Sequence, residues 1–452
     1  MTSALSGKKI GQSARGGADH AWFTSYLLSN ISGGIISPLI PLFVVLYLHS
    51  NVEYVGIVSA LSSAASVPAL IFWGNLSDKL KRRKIFVVIG FVGSFLSLLL
   101  IIVSKTLGMY ILTLVIFQFV AVASTPVATL LILESTVEKK WPNVMSTFNI
   151  FSYIGLIAGL AVGLVLMSVY ANISYSLLPY LYLVAAFIYL AAGISAIFLL
   201  PEPVRKLQRN TGALASIFSL RTTEKIRYFP NYMIHIISSR KNNGTSKLAQ
   251  RTKIYIFYTG FLMFAFQLFF VPFPVFMIDK LRGTQDEIFI MYLLNDFASA
   301  IAFLFSGRLL NSIGIAKTLS IALFSRVGIL FSAMVLALFF GSLSFSLYLG
   351  IAIYAIMGLF WSFISISWST SISKLALPEN RGKAIGYYNS FLGIGQIISG
   401  VTAGLLALYF GYSITFALAA ITVLSGAALL IRFQYRMKDI ITNSQTKRVG
   451  SV

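Results

Sequence analysis

The chain has 452 residues, of which 57% are hydrophobic and only 11% are charged, and its mean hydropathy is +0.85. A water-soluble domain of this length cannot have such a composition, so the sequence describes an integral membrane protein. The formal net charge of +22 is explained by basic cytoplasmic loops lying against an anionic inner leaflet, without a nucleic acid. Because cysteine is absent, disulfides and thiolate metal sites are excluded, and we expect neither a metal nor a cofactor.

Residues 1–20 lack the apolar core of a signal peptide and are predicted to form a cytoplasmic tail. Twelve apolar stretches follow, and their lengths suit membrane-spanning helices rather than barrel strands. Their approximate positions are 21–47, 54–74, 85–104, 109–133, 144–170, 177–200, 254–278, 287–306, 316–340, 344–373, 383–409 and 412–433. The predicted fold class is an all-α integral membrane protein with two six-helix bundles, over residues 21–200 and 254–433.

The second half repeats the first. A proline-containing apolar helix precedes a glycine by 33 residues in both halves, at Pro41 to Gly74 and at Pro274 to Gly307. The segment 149–155 also matches 389–395, so the offset is 233 residues early in the halves and 240 residues late. We therefore expect the two bundles to superpose about an axis normal to the membrane, which is the architecture of carriers that rock about a central site.

The distribution of Lys and Arg sets the orientation. If both termini are cytoplasmic, 31 of the 35 basic residues fall on the inner side, and only Lys105, Lys280 and Arg282 are placed in outer loops. This predicts a multi-pass protein of the cell membrane with cytoplasmic termini. The basic segment 201–253 is then a cytoplasmic loop, either a surface helix or a loosely ordered linker, and residues 434–452 form a cytoplasmic tail.

The segment after helix 2 has the most specific sequence. Gly74 allows a close approach of helix ends, and the Asp78 carboxylate can face the N-terminus of a neighbouring helix. Lys79, Arg82 and Arg83 belong to a cationic cluster that suits the inner headgroups. We interpret this segment as a turn that forms part of a cytoplasmic gate.

This segment resembles the loop signature of the major facilitator superfamily, G-x-L-x-D-[RK]-x-G-[RK]-[RK], with Lys81 where that family usually has glycine. The second half keeps Gly307 and Gly314 of the signature but has Asn311 at the acidic position. The resemblance covers residues 21 to 433 at the level of topology. It implies a monomeric carrier with a small-molecule substrate and a mid-membrane cavity lined by helices 1, 4, 7 and 10.

Two further segments are similar to the twelve-span drug:proton antiporters of that superfamily. Helix 1 contains Gly33-Gly34-Ile35-Ile36-Ser37-Pro38-Leu39-Ile40-Pro41, which looks like their G-x-x-x-P-x-x-P element. Helix 5 has Gly155, Gly159 and Gly163 of their glycine signature, with Leu160 where that signature has proline. These glycines also fit close helix packing without any role in antiport.

Two ionisable residues lie deep in predicted helices. Asp296 and Arg326 are each about ten residues from the cytoplasmic end of their helix, so both belong near one depth. Charged groups there are costly and usually have a task. Either Asp296 is a proton-coupling carboxylate, or the two side chains form a buried ion pair that pins helices 8 and 9.

Polar and aromatic side chains at mid-depth in the implied lining helices are the cavity candidates. They are Asn30 and Ser37 in helix 1, Gln118 in helix 4, Gln267 in helix 7, and Trp361 and Ser365 in helix 10. No Lys or Arg is among them, so we expect a neutral, amphipathic or cationic substrate rather than a strongly anionic one.

Other functional classes fit less well. The three histidines are far apart in sequence and the thirteen acids fall mostly in loops, which does not suggest an enzyme. A channel would need neither the loop signature nor the duplication. The sequence leaves three alternatives: a carrier that exports amphipathic compounds, with or without coupling to protons; an uptake symporter or uniporter for a sugar-like or other small metabolite; and a receptor on the same fold that does not transport.

Overall fold

The computed structural model describes residues 21–80, 83–125, 127, 128, 131, 141–170, 178–200, 248–339, 345–376 and 381–449. The predicted tail 1–20 and residues 201–247 of the predicted central loop lie outside this part of the chain. The first half contains α1 (Phe23–Leu42), α2 (Val52–Leu80), α3 (Arg83–Ile102), α4 (Leu107–Ala121), α5 (Trp141–Tyr170) and α6 (Leu178–Leu199). The second half contains α7 (Gln250–Phe270), α8 (Gln285–Ile313), α9 (Ile315–Phe339), α10 (Ser346–Leu375) and the helical stretch Arg381–Val449.

The stretch Arg381–Val449 comprises two helices, α11 (381–410) and α12 (412–449). Gly411 between them has φ +81°, a backbone conformation that favours glycine and breaks the helix. Eleven helical stretches of the described residues are long and apolar enough to span a membrane, and the last, Gly386–Phe433, has 48 residues. Since one crossing needs about 20 residues, this stretch supplies two. The predicted all-α fold of twelve membrane helices is confirmed.

The ends of α2 and α8 differ from the prediction. Both glycines that were expected to open a turn, Gly74 and Gly307, lie inside helices that continue to Leu80 and Ile313. An α-helix satisfies its backbone hydrogen bonds internally, so it continues beyond an apolar run wherever no residue breaks it. Gly314, with φ +86°, ends α8. The last helix likewise extends to Val449, well into the predicted tail.

Helix pairings in one half recur in the other. α1 packs on α5 and α2 on α4; in the second half α7 packs on the α11–α12 stretch and α8 on α10. Across the bundles, α2 meets this stretch through Gly56 and Gly400, and α5 meets α8 through Gly163 and Phe289. A twofold operation that exchanges α2 with α8 and α11 with α5 maps one of these contacts onto the other. Duplicated halves produce this pattern.

Prolines change the course of the first helix in each half. α1 contains Pro38 and Pro41 and continues as a π-helical turn, Phe43–Tyr47. α7 ends before Pro272 and is followed by a short helix, Phe273–Asp279, which we count with α7. Proline removes a backbone donor and disturbs the helix, so the repeated prolines place an irregular turn near the same end of both helices.

We call the side where α1 begins and α2 ends the terminal face, and the side of residues 48–51 the opposite face.

The glycines of α5 lie against α1 and α8. A Cβ atom on Gly155 or Gly159 would overlap the backbone carbonyl of Leu27 or Ile31 in α1, and one on Gly163 would overlap the ring of Phe289 in α8. These positions permit close backbone approach.

Gly159→Ala is expected to destabilise the protein by about 1–3 kcal/mol, because the added methyl group forces α1 and α5 apart. The matched control is Gly33→Ala in α1, where an added Cβ meets nothing within 4 Å. The midpoint of thermal unfolding of the purified protein compares the two variants. Equal midpoints would show that the α1–α5 contact does not depend on Gly159.

Candidate functional site

A cavity of about 630 Å³ lies between the two bundles. α1, α2 and α5 form one wall, and α7, α8, α9 and α10 form the other. Pro41 and Pro274, which are equivalent in the repeat, both line it. The full lining is Asn30, Ser37, Ile40, Pro41, Val55, Ser59, Ser152, Tyr153, Leu156, Gln267, Phe270, Val271, Pro274, Tyr292, Asn295, Asp296, Ser299, Arg326, Tyr354, Gly358 and Trp361.

The cavity brings together four of the six predicted candidates, namely Asn30, Ser37, Gln267 and Trp361. Gln118 does not line it, because α4 packs on α2 and α3. Ser365 is also absent from the wall, since it lies one helical turn beyond Trp361 toward the terminal face.

Sequence reasoning missed the contribution of α8. Tyr292 lies three and four residues before Asn295 and Asp296, and Ser299 lies four and three residues after them, so the four residues form a polar stripe on one face of an otherwise apolar helix. This stripe was a usable signal. The attribution of the cavity to helices 1, 4, 7 and 10 left α8 out.

Two hydrogen bonds fix the α8 stripe against α10. The Asn295 amide nitrogen donates to the Tyr354 carbonyl at 2.7 Å, and the Ser299 hydroxyl donates to the Gly358 carbonyl at 2.8 Å. The backbones are close here, because a Cβ on Gly358 would overlap the carbonyl of Asn295. These bonds hold α8 in a fixed rotation, with Asp296 on the cavity wall.

Arg326 reaches the same cavity from α9. Its side chain is fully buried, and its Nη2 donates to the Met357 carbonyl at 3.0 Å. The guanidinium carbon lies 4.3 Å from the ring centroid of Phe266 and 5.5 Å from that of Trp361. The expectation that no Lys or Arg lines the cavity is therefore wrong: α9 packs on α10, and the long Arg side chain extends past that helix.

Asp296 and Arg326 line one cavity but do not form an ion pair. No N···O distance between them is 4.0 Å or less, and both Nε and Nη1 of Arg326 are buried without a hydrogen-bond partner. The buried ion pair considered from the sequence is not formed in this conformation, because the guanidinium is held by the Met357 carbonyl and the aromatic rings. The two residues line one cavity, in line with their similar predicted depth, but depth does not fix the direction of a side chain around its helix.

The predicted gate residues are only partly described. Gly74, Asp78 and Lys79 fall within the last turns of α2. The side chains of Asp78, Lys79 and, in α8, Asn311 lie outside the described part of the protein. Arg82 is outside it altogether. Arg83 is buried at the start of α3.

The bundles are in close contact on one side of the cavity. A Cβ on Gly56 would overlap the Gly400 carbonyl, and one on Gly404 would lie 2.9 Å from the Glu53 Cα. These contacts belong to the half of α2 that begins at the opposite face. A smaller contact across the bundles, between the rings of Tyr153 and Phe303, has a centroid distance of 5.3 Å.

Two six-helix bundles that repeat one another, with a cavity between them, are the architecture of a membrane transporter built from duplicated halves. The chain belongs to the Major Facilitator Superfamily, since the sequence model of that family matches residues 22–376 and 325–448.

Solved structures of other transporters have the same fold. The nucleoside transporter NupG is 17% identical with a TM-score of 0.65, over 93% of this chain and 99% of that chain. The human organic anion transporter MFSD10 (TETRAN) is 14% identical with a TM-score of 0.61, over 91% of this chain and 98% of that chain. A POT family transporter in complex with a thioalcohol-conjugated peptide is 12% identical with a TM-score of 0.72, over 92% and 96%. At these identities the likeness shows the fold alone. A search of curated proteins finds no match.

Proposed function

We propose that this protein is a secondary carrier that works by alternating access and couples the export of an amphipathic small molecule to proton entry. The observation that carries the proposal is the position of Asp296, the one carboxylate among the described residues that line the cavity. An acid in the middle of a membrane protein is costly and usually serves ion movement or substrate binding. Tyr354, Phe270 and Trp361 supply aromatic surface beside the amides of Asn30 and Gln267, which suits an amphipathic molecule.

Proton movement driven by a substrate gradient tests this function. Proteoliposomes containing the full chain are loaded with amphipathic cations, neutral compounds or monoanions, and a pH-sensitive dye reports the lumen. Antiport carries protons inward as the compound leaves, so a wild-type carrier is expected to acidify the lumen. Compound efflux without proton movement would indicate a uniporter, and the absence of any efflux would contradict transport.

Symport is the alternative, and one feature favours it. Leu160, which stands where the drug:proton antiporter signature has proline, is fully buried in an unbroken α5. Without that proline, α5 lacks the kink that the resemblance implies for antiport. Symport would make the lumen more alkaline in the same experiment.

We also propose that the carrier lies in the cell membrane with both termini in the cytoplasm, as the distribution of Lys and Arg predicts. The terminal face is then the cytoplasmic face. The segment from Gly74 to Arg83 would close it, with the Asp78 carboxylate near the start of α11.

Asp78→Asn is expected to favour the conformation that is open at the terminal face and to slow transport. A carboxylate at a helix N-terminus contributes about 0.3–1 kcal/mol, so the population should shift about two- to fivefold. Because the chain contains no cysteine, a single Ser37→Cys in the cavity reports access to a membrane-impermeant maleimide. The control is Asp286→Asn in the first turn of α8, at the opposite face, which should leave labelling and transport unchanged. Unchanged labelling and unchanged transport in Asp78→Asn together would refute the gate.

A further inference from the structure

Arg326 is a buried cation without a matching anion. Its side chain has 0% exposure, and Nε and Nη1 have no hydrogen-bond partner. Among the described residues, none places a carboxylate oxygen within 4.0 Å of the guanidinium. Because the described lining of the cavity has no second Lys or Arg, the guanidinium is the positive pole of the site.

The surroundings of Arg326 compensate only part of the cost of burying it. The Met357 carbonyl accepts a hydrogen bond from Nη2. The ring centroids of Phe266, Phe270 and Trp361 are 4.3 to 5.6 Å from the guanidinium carbon. Ring faces attract a cation, but they accept no strong hydrogen bond. A buried charge left without an opposite charge destabilises a fold, and ionisable groups deep in a membrane protein usually mark functional sites.

We propose that Arg326 binds the carboxylate of the substrate, and that the rings of Phe270 and Trp361 pack against its apolar body. Both rings line the cavity and flank the guanidinium, which has no exposed surface, so a ligand in the cavity reaches the cation by displacing one of them. Charge-assisted hydrogen bonds from the free N–H groups to a carboxylate would complete the coordination of the guanidinium. This inference rests on the proposed function, because it takes the cavity as the substrate site.

The charges of the cavity define the substrate class further. Asp296 lines the same cavity as Arg326 and forms no ion pair with it. Asp296 would repel a second negative charge on the ligand. A ligand with a single carboxylate has its charge balanced by Arg326. We therefore assign the site to monocarboxylates with an apolar or aromatic body, and not to phosphate esters or dicarboxylates.

The test measures binding and stability on the full chain in detergent, where no gradient exists. The probes are matched pairs: 3-phenylpropionate with 3-phenylpropionamide, and indole-3-acetate with indole-3-acetamide. The variants are Arg326→Met, which keeps length without charge, and Arg326→Lys, which keeps charge. Ligands that bind the folded state raise the midpoint of thermal unfolding, and titration gives the Kd.

We expect the carboxylates to stabilise the wild type and their amides to do so at least tenfold more weakly in Kd, which corresponds to about 1.4 kcal/mol. Arg326→Met should lose the preference for carboxylates, and Arg326→Lys should retain part of it. Without ligand, Arg326→Met should unfold at a higher temperature than the wild type, because it removes an unpaired buried charge. A purely structural arginine would give the reverse shift.

Three results would overturn the assignment: no carboxylate in the panel binds, amides bind as well as carboxylates, or Arg326→Met is less stable than the wild type or fails to fold. Failure of the proposed function looks different. Carboxylates that bind through Arg326 but are not moved in proteoliposomes would contradict transport and leave the binding site in place. Proton-coupled efflux of cations or neutral compounds alone would contradict the carboxylate site and leave the transport function in place.

Discussion

Gly56→Leu is expected to reduce net transport about tenfold to 100-fold while the protein remains folded. Gly56 lies in α2 where this helix crosses the bundle interface, and even a Cβ there would overlap the carbonyl of Gly400 in α11. A leucine therefore cannot be accommodated while the two backbones are in contact. A carrier that cannot close one face of its cavity cannot complete the alternating-access cycle.

The size of the effect follows from the packing. Overpacking a close contact costs about 1–3 kcal/mol, and each 1.4 kcal/mol changes a population tenfold. The conformation that is closed at the opposite face should thus become about tenfold to 100-fold rarer. Gly400 and Gly404 contribute to the same contact, since a Cβ on Gly400 would lie 2.8 Å from the Ala60 nitrogen. Gly400→Leu should therefore give the same defect.

Labelling of a single cysteine separates this defect from misfolding. In the Ser37→Cys background, Gly56→Leu should raise the rate of labelling by an impermeant maleimide added at the opposite face. The control is Gly328→Leu in α9, where an added Cβ meets nothing within 4 Å and the residue is exposed on the bundle surface. Wild-type transport by Gly56→Leu would show that the α2–α11 contact is not a closure.

The helices were predictable because the bilayer requires long apolar runs whose backbone groups are satisfied internally. Their number followed from the count of apolar stretches, and Pro41 and Pro274, which the repeat paired, both line the cavity. The ends of α2 and α8 were less predictable, because a helix outside the bilayer is limited by local breakers such as Gly314 rather than by hydropathy.

The rotation of each helix was the main gap. In a membrane, the faces toward lipid and toward other helices are both apolar, so amphipathic periodicity hardly distinguishes them. The stripe of Tyr292, Asn295, Asp296 and Ser299 is an exception, because all its polar groups face the cavity or α10. Arg326 shows the limit of depth arguments: its depth matches that of Asp296, but its orientation is set by Met357 and Phe266.

Asp296→Asn is expected to uncouple the carrier without unfolding it. Since no cationic side chain of the described residues lies within 4.0 Å of the Asp296 carboxylate, the amide leaves no partner charge behind, and stability should change little. An amide cannot take up or release a proton in the working range of pH. The variant should therefore still exchange substrate across the membrane but no longer move it in response to a pH gradient.

Two matched variants make this expectation specific to the cavity. Asp296→Glu keeps a titratable group on the wall and should retain at least part of the gradient-driven transport. Asp279→Asn removes a different carboxylate of a membrane helix, one that accepts a 2.7 Å hydrogen bond from Tyr412 outside the central cavity, and it should leave the coupling intact. Substrate exchange and pH-driven accumulation are measured on the same proteoliposomes. If Asp296→Asn still accumulates substrate against its gradient, Asp296 has no part in coupling, and because no other acid lines the described cavity, the carrier is then a uniporter or uses another ion.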